Sequence, residues 1–248
     1  MAPLHNEGAF SITFGAVPVP FGSSEHDGYL ARPDGRGAFG SVILLPGVRG
    51  IGPVEKALAR SLSRHGRAVL VIDPYRGRGP ASGADDAAVA RAHDAVPDQR
   101  VVMDVGEARE YLASDDTTWA DAGPSLLVGV DTGGRFALLA AAARTDIAGV
   151  VAIGAPLGGD GGRRLGVLDA LGRIAAPILG LYGAADPLVP LEDVDAAQAA
   201  APAARFIAYD GVGHAFLDPR SADYHPGAEA DALARVVALL DATVPVPV

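Results

Sequence analysis

The chain has 248 residues, 49% of them apolar and 20% charged, which is long enough to bury a full core and too apolar for a disordered protein. A formal charge of −10 argues against nucleic acid or an anionic membrane surface as a partner, since either requires a basic face. The absence of cysteine removes disulfides, thiolate metal sites and a cysteine nucleophile together. In chain order, residues 10 to 32 read as two short strands joined by a turn around Gly22-Ser23-Ser24, the β-rich start of a single domain whose catalytic core runs from about 40 to 242. The apolar run Val42 to Leu45 ends in Pro46-Gly47, and a helical period over 54 to 64 stops at Gly66. Ala68 to Ile72 is a second buried run, closed by Asp73-Pro74. Residues 75 to 98 are weakly patterned and read as a short helix or a mobile loop.

Val101, Val102, Val105, Ala108, Tyr111 and Leu112 mark one face of the next helix. The strand 125 to 130 then leads directly into a helix from Gly133 or Gly134 to about Ala143. Strands at 147 to 153, 178 to 182 and 205 to 209 follow, with helices at 191 to 201 and 226 to 241 and a Pro-Val tail at 245 to 248 expected to fray. Fully apolar strands alternating with amphipathic helices predict an α/β fold, a mostly parallel, doubly wound sheet covered on both faces. The N-terminal residues lack a basic segment followed by an apolar run, and no stretch approaches the roughly 20 apolar residues of a membrane span, so a cytoplasmic protein is expected.

In such sheets ligands gather beyond the carboxyl ends of the strands. Gly129-Val130-Asp131-Thr132-Gly133 stands there with the form Gly-x-nucleophile-x-Gly, whose small flanks suit a tight turn between a buried strand and a helix. Asp186 follows a later strand and His214 follows the last. The order nucleophile, acid, histidine assigns Asp131 the attacking role, His214 the proton transfers and Asp186 the orientation of the imidazole. Asp is also a good helix cap, and Asp186-Pro187 is a common turn start, so each residue alone has a structural reading. Arg49, Tyr75, Arg76 and Phe216, at or near the same strand ends, are candidates for substrate contact, with surface ion pairing or core packing as the alternative. His5, His26, His65, His93 and His225 show no ligand spacing, so no metal is expected. Gly158-Gly159-Asp160-Gly161-Gly162 lacks the Lys-Ser/Thr of a phosphate loop and reads as an ordinary loop, while Trp119 reads as packing.

Val42-Ile43-Leu44-Leu45-Pro46-Gly47 with Gly50, Asp73-Pro74-Tyr75, Gly129 with Gly133-Gly134, Gly183-x-x-Asp186-x-x-Val189-Pro190 and Gly213-His214-x-Phe216 together resemble the dienelactone hydrolase family of the α/β-hydrolase superfamily, over roughly residues 25 to 242. The resemblance implies a small, cofactor-free enzyme without a cap domain, acting on esters or lactones, with an oxyanion hole from the backbone amides of Val48 and Thr132. Three departures stand beside it. Asp131 replaces the family's Cys or Ser, the family's glutamate falls on Gly47, and the arginine that grips a substrate carboxylate is replaced by Asp218, which argues against dienelactone itself.

The segment Gly-x-Asp-x-Gly-Gly is similar to the elbow of dehalogenases and epoxide hydrolases of the same superfamily, where an Asp attacks carbon and forms an alkyl ester. A carboxylate, with a reference pKa of about 3.9, needs no base to ionise. Attack on an ester, by contrast, would give an anhydride. Those relatives carry lid groups that bind or protonate the leaving group; Tyr75 or Arg49 could supply such a donor here, and only the segment 157 to 176 stands where a cap would insert. The expected function is hydrolysis of a small ester, lactone, epoxide or C–halogen compound. The alternatives are a lyase, isomerase or cyclase of specialised metabolism with Asp131 and His214 as acid–base groups, or a non-catalytic binding domain.

Overall fold

The computed structural model describes residues 8–81, 83–158, 166–244 and 246. His5, residues 159–162 of the glycine-rich stretch and residues 245, 247 and 248 of the tail lie outside them.

Two ten-residue strands, β1 (Ile12–Phe21) and β2 (Ser24–Pro33), form the antiparallel hairpin around Gly22, and both are longer than expected. Then come β3 (Ser41–Leu45), α1 (Pro53–Arg64), β4 (Ala68–Val71), α2 (Asp86–Asp94), α3 (Asp98–Leu112), β5 (Ser125–Val130), α4 (Thr132–Ala143), β6 (Ile147–Ile153), α5 (Val167–Leu171), β7 (Ile178–Gly183), α6 (Leu191–Ala200), β8 (Arg205–Tyr209) and α7 (Pro226–Thr243). The sheet order is β1-β2-β4-β3-β5-β6-β7-β8. Pairing is antiparallel from β1 to β4 and parallel from β4 through β8, the α/β-hydrolase pattern of a mostly parallel sheet with an antiparallel margin.

The period-two geometry of a strand sends alternate residues to opposite faces, and both faces here are apolar. Ile43, Leu45, Leu70 and Leu127 pack with Val101, Val105 and Phe136, under α3 and α4. Val42, Leu44, Val69 and Val128 pack with Ala59, Leu62, Val236 and Leu240, under α1 and α7. Each such side chain taken out of water contributes about 1.5–3 kcal/mol.

The undecided stretch 75 to 98 contains α2, capped by Asp85, whose carboxylate accepts from the Ala88 amide at 2.7 Å. None of its residues is buried, which is why apolar periodicity did not mark it. α5 is one short turn lying in the segment between β6 and β7. Arg76 and Asp131 are the non-glycine residues with positive φ among the described residues, at 55° and 52°.

Candidate active site

Asp131 sits between β5 and α4 with φ 52° and ψ −128°, a conformation that costs about 1–3 kcal/mol. The turn is over-determined by its neighbours. A Cβ on Gly129 would stand 2.2 Å from the Gly133 carbonyl oxygen, and one on Gly133 would stand 2.1 Å from the Leu45 carbonyl oxygen, so only glycine lets α4 approach β3 and β5 this closely. The Asp131 amide donates to the Ile153 carbonyl at 2.8 Å and the Gly134 amide to the Asp131 carbonyl at 2.8 Å. This geometry lifts the side chain above the sheet.

Asp186 follows β7 and His214 follows β8. His214 Nδ1 lies 2.7 Å from Asp186 Oδ2, and the Asp186 side chain is fully buried. Its other oxygen accepts from the amides of Leu188 at 2.8 Å and Val189 at 3.3 Å. An acceptor fixed in this way assigns the ring proton to Nδ1 and leaves Nε2 as the working nitrogen. Nε2 lies 3.8 Å from Asp131 Oδ1. The ring passes over Gly154, where a Cβ would come within 3.5 Å of it. The structure thus brings Asp131, Asp186 and His214 together.

Burial raises the pKa of Asp131 above the ordinary carboxylate value, against the opposing pull of His214 and of backbone hydrogen bonds from Val48 and Thr132. Those two amides therefore lie close enough to favour the charged form of the Asp131 carboxylate. Burial alone would lower the pKa of His214, but the bond to Asp186 and the charges of Asp131, Asp186 and Asp223 outweigh it, and the imidazole is held above its ordinary value. Replacing Asp131 by Asn removes one charge that favours the imidazolium, so the pKa of His214 is expected to fall. An NMR titration of the His214 ring protons measures it, and an unmoved midpoint would show that the two side chains are not coupled.

Asp131 and His214 open into a cavity of about 440 Å³, within the ordinary range for small-molecule sites. Val48 and Arg49 line it, as do Glu55, Leu217, Asp218 and Arg220. Of the residues expected to touch substrate, Arg49 is therefore in place, and Tyr75, Arg76 and Phe216 differ from the expectation. Tyr75 is buried beneath the elbow with its hydroxyl 2.8 Å from Thr132 Oγ1. Arg76 turns away to pair with Asp104 at 2.6 Å and to stack over Phe21 at 3.9 Å. Phe216 is buried against Tyr209.

Asp218 is engaged by Arg220 through two hydrogen bonds of 2.9 and 2.8 Å, so this part of the wall presents a paired charge rather than a lone one. Glu55 was missed by sequence reasoning, because a glutamate in the first turn of a helix reads as a capping residue. Trp119 lies away from the cavity, with the Arg32 guanidinium 5.7 Å above its ring.

The family model described as the dienelactone hydrolase family matches residues 26–244. A carboxymethylenebutenolidase of Rhodococcus opacus is 28% identical over 235 residues, covering 92% of this chain and 87% of that protein. A solved chain from Klebsiella pneumoniae, provisionally named a dienelactone hydrolase, superposes with a TM-score of 0.85 at 26% identity, covering 92% of this chain and 98% of its own. A dienelactone hydrolase-like promiscuous phosphotriesterase from metagenomic libraries shares the fold, with a TM-score of 0.79 at 19% identity over 94% of this chain and 99% of its own. Among the described residues no helix is long and apolar enough to cross a membrane.

Proposed function

Because the chain belongs to the dienelactone hydrolase family, and is a hydrolase of α/β-hydrolase fold, we propose that it cleaves a small organic molecule by carboxylate attack on carbon, with Asp131 as nucleophile, His214 as general base and Asp186 as the acid that orients it. The observation that carries this reading is the seat of the Asp131 carboxylate. It projects from the strained elbow, lies where the backbone amides of Val48 and Thr132 favour its charged form, and faces Nε2 of His214 at 3.8 Å.

In the first step one Asp131 oxygen bonds to the substrate carbon, and the bond to the leaving atom breaks with its electron pair. The second oxygen becomes the carbonyl of an alkyl ester, at the amides of Val48 and Thr132. His214 then takes a proton from water, and the water oxygen bonds to Cγ of Asp131. The tetrahedral oxyanion is stabilised by the same two amides, which need no reorganisation. Collapse releases the alcohol with the proton from His214. Loss of the Asp131 charge on alkylation removes one charge that favours the imidazolium, which shifts His214 toward the neutral form that activates water. Attack on an ester carbonyl is disfavoured, since it would give an anhydride.

The test is turnover of epoxides, haloacids, lactones and aryl esters in oxygen-18 water, with mass spectrometry of the peptide containing Asp131. Label is expected in its carboxylate after repeated turnover; turnover with an unlabelled Asp131 would remove it as the alkylated group. The raised pKa of Asp131 also suits a proton acceptor, which favours lyase or isomerase chemistry as the second reading. That reading requires solvent-proton exchange into the substrate without oxygen incorporation.

A further inference from the structure

The mechanism above leaves two carboxyls in the cavity wall unused, Asp218, which Arg220 engages, and Glu55. Glu55 is the third residue of α1, it lines the cavity shared with Asp131 and His214, and it is 8% exposed. Its Oε2 accepts from the Gly52 amide at 2.9 Å, which fixes the side chain toward the site. A capping glutamate is ordinarily solvated; this one is enclosed opposite a second carboxylate. The charged groups that face it are Asp131 from the elbow and Arg220 from the loop after β8, and Arg220 is bound by Asp218. On its own helix Lys56 lies 5.7 Å over the Tyr29 ring.

Resting on the reading of Asp131 as nucleophile, we propose that Glu55 is the proton donor to the leaving group, and that the bond cleaved is a C–O bond whose oxygen leaves as an alcohol, as in an epoxide, rather than a C–halogen bond. Burial raises the pKa of Glu55 against the pull of the amides of Glu55, Gly52 and Gly47, and the Asp131 charge adds to the rise. Two neighbouring carboxyls that interact cannot both ionise freely, which is how one is kept as an acid beside a working carboxylate. A departing halide needs N–H or O–H donors and no proton, and a carboxyl wall serves it badly. Of the other donors, the Tyr75 hydroxyl is held beneath the elbow by Thr132, Arg49 donates to the Ala81 carbonyl and Arg220 is bound by Asp218.

The protons balance over the cycle. Asp131 bonds to carbon, the C–O bond breaks, and the departing oxygen takes the proton of Glu55, leaving an alkyl ester and the Glu55 carboxylate. His214 carries one water proton to the second alcohol. The remaining water proton, left on the regenerated Asp131 carboxyl, returns to Glu55. The sum is substrate plus water to diol.

Glu55→Gln tests this, since its side-chain carbonyl can still accept from the Gly52 amide while it has no acidic proton to give. Styrene oxide and benzyl bromide, both open to attack at a benzylic carbon, serve as probes. The ratio of styrene oxide to benzyl bromide turnover is expected to fall by roughly 100-fold in the variant, the lower range for a lost general acid. In the wild-type protein styrene oxide turnover is expected to decline on the basic side with the midpoint at which Glu55 itself titrates, read by carbon-13 NMR of the carboxyl without substrate, and that midpoint should lie well above about 4.3. An unchanged ratio, equal losses on both probes, or an ordinary Glu55 midpoint overturns the proposal. Wild-type turnover of benzyl bromide with label in Asp131 but none of styrene oxide overturns the proton-donor role alone. Turnover of neither probe overturns it together with the nucleophile reading.

Discussion

Asp131→Asn is expected to lower turnover by about ten-thousand-fold or more, the scale seen when a nucleophile that acts as part of a unit is removed, with little change in the fold. The amide has nearly the shape of the carboxylate, and its oxygen can still face the backbone amides of Val48 and Thr132 that favour the charged carboxylate in the native protein. The backbone of the elbow is held by Gly129 and Gly133, whose close approaches to neighbouring carbonyls do not involve the side chain at 131. What is lost is the negative oxygen that bonds to carbon. Steady-state rates on whichever panel substrate the native enzyme turns over, set beside circular dichroism and thermal melting, separate chemistry from folding. A variant that keeps a tenth of the activity would remove Asp131 from the reacting atoms, whatever the state of the triad.

Asp98→Ala is expected to destabilise the protein by about 3–5 kcal/mol, the range for removing one partner of a buried ion pair. Arg135, four residues past Asp131 on α4, holds the first residue of α3 through contacts of 2.7 and 3.2 Å to the two Asp98 oxygens. Both side chains are buried, at 6% and 7% exposure. Without the carboxylate the buried guanidinium loses both of these contacts, and a typical native margin of about 5–15 kcal/mol leaves little to absorb that. Urea unfolding gives the number. Replacing both partners, with Asp98→Leu and Arg135→Met, is expected to cost less than Asp98→Ala, because no unpaired charge is buried. A single variant as stable as the native protein would show that the pair does not fasten the elbow helix to α3.

The frame of the molecule is written in local pattern. Runs such as Val42 to Leu45 and Leu126 to Val128 are apolar at every position because they are covered on both faces, and the glycines at 129 and 133 mark a junction where backbones come within side-chain distance. The family is legible for the same reason, since the motifs lie at strand ends that the fold keeps in register. α2 and α5 were not legible: one buries no residue and the other is a single turn, so neither leaves a period to read.

By itself the sequence determined the doubly wound sheet, the family and the placing of Asp131, Asp186 and His214 at three strand ends. Tertiary structure alone decided which other side chains reach the cavity. Tyr75 and Arg76 lie in the loop after β4, on the side of the sheet where Asp131 follows β5, yet Tyr75 turns under the elbow to Thr132 and Arg76 turns out to Asp104. Glu55, an unremarkable first-turn residue in the sequence, is enclosed in the cavity that Asp131 also lines. The physical reason is that period and spacing record which face of an element is apolar. The direction of a loop side chain, and the burial that perturbs its charge, depend on residues distant in sequence that only packing brings near.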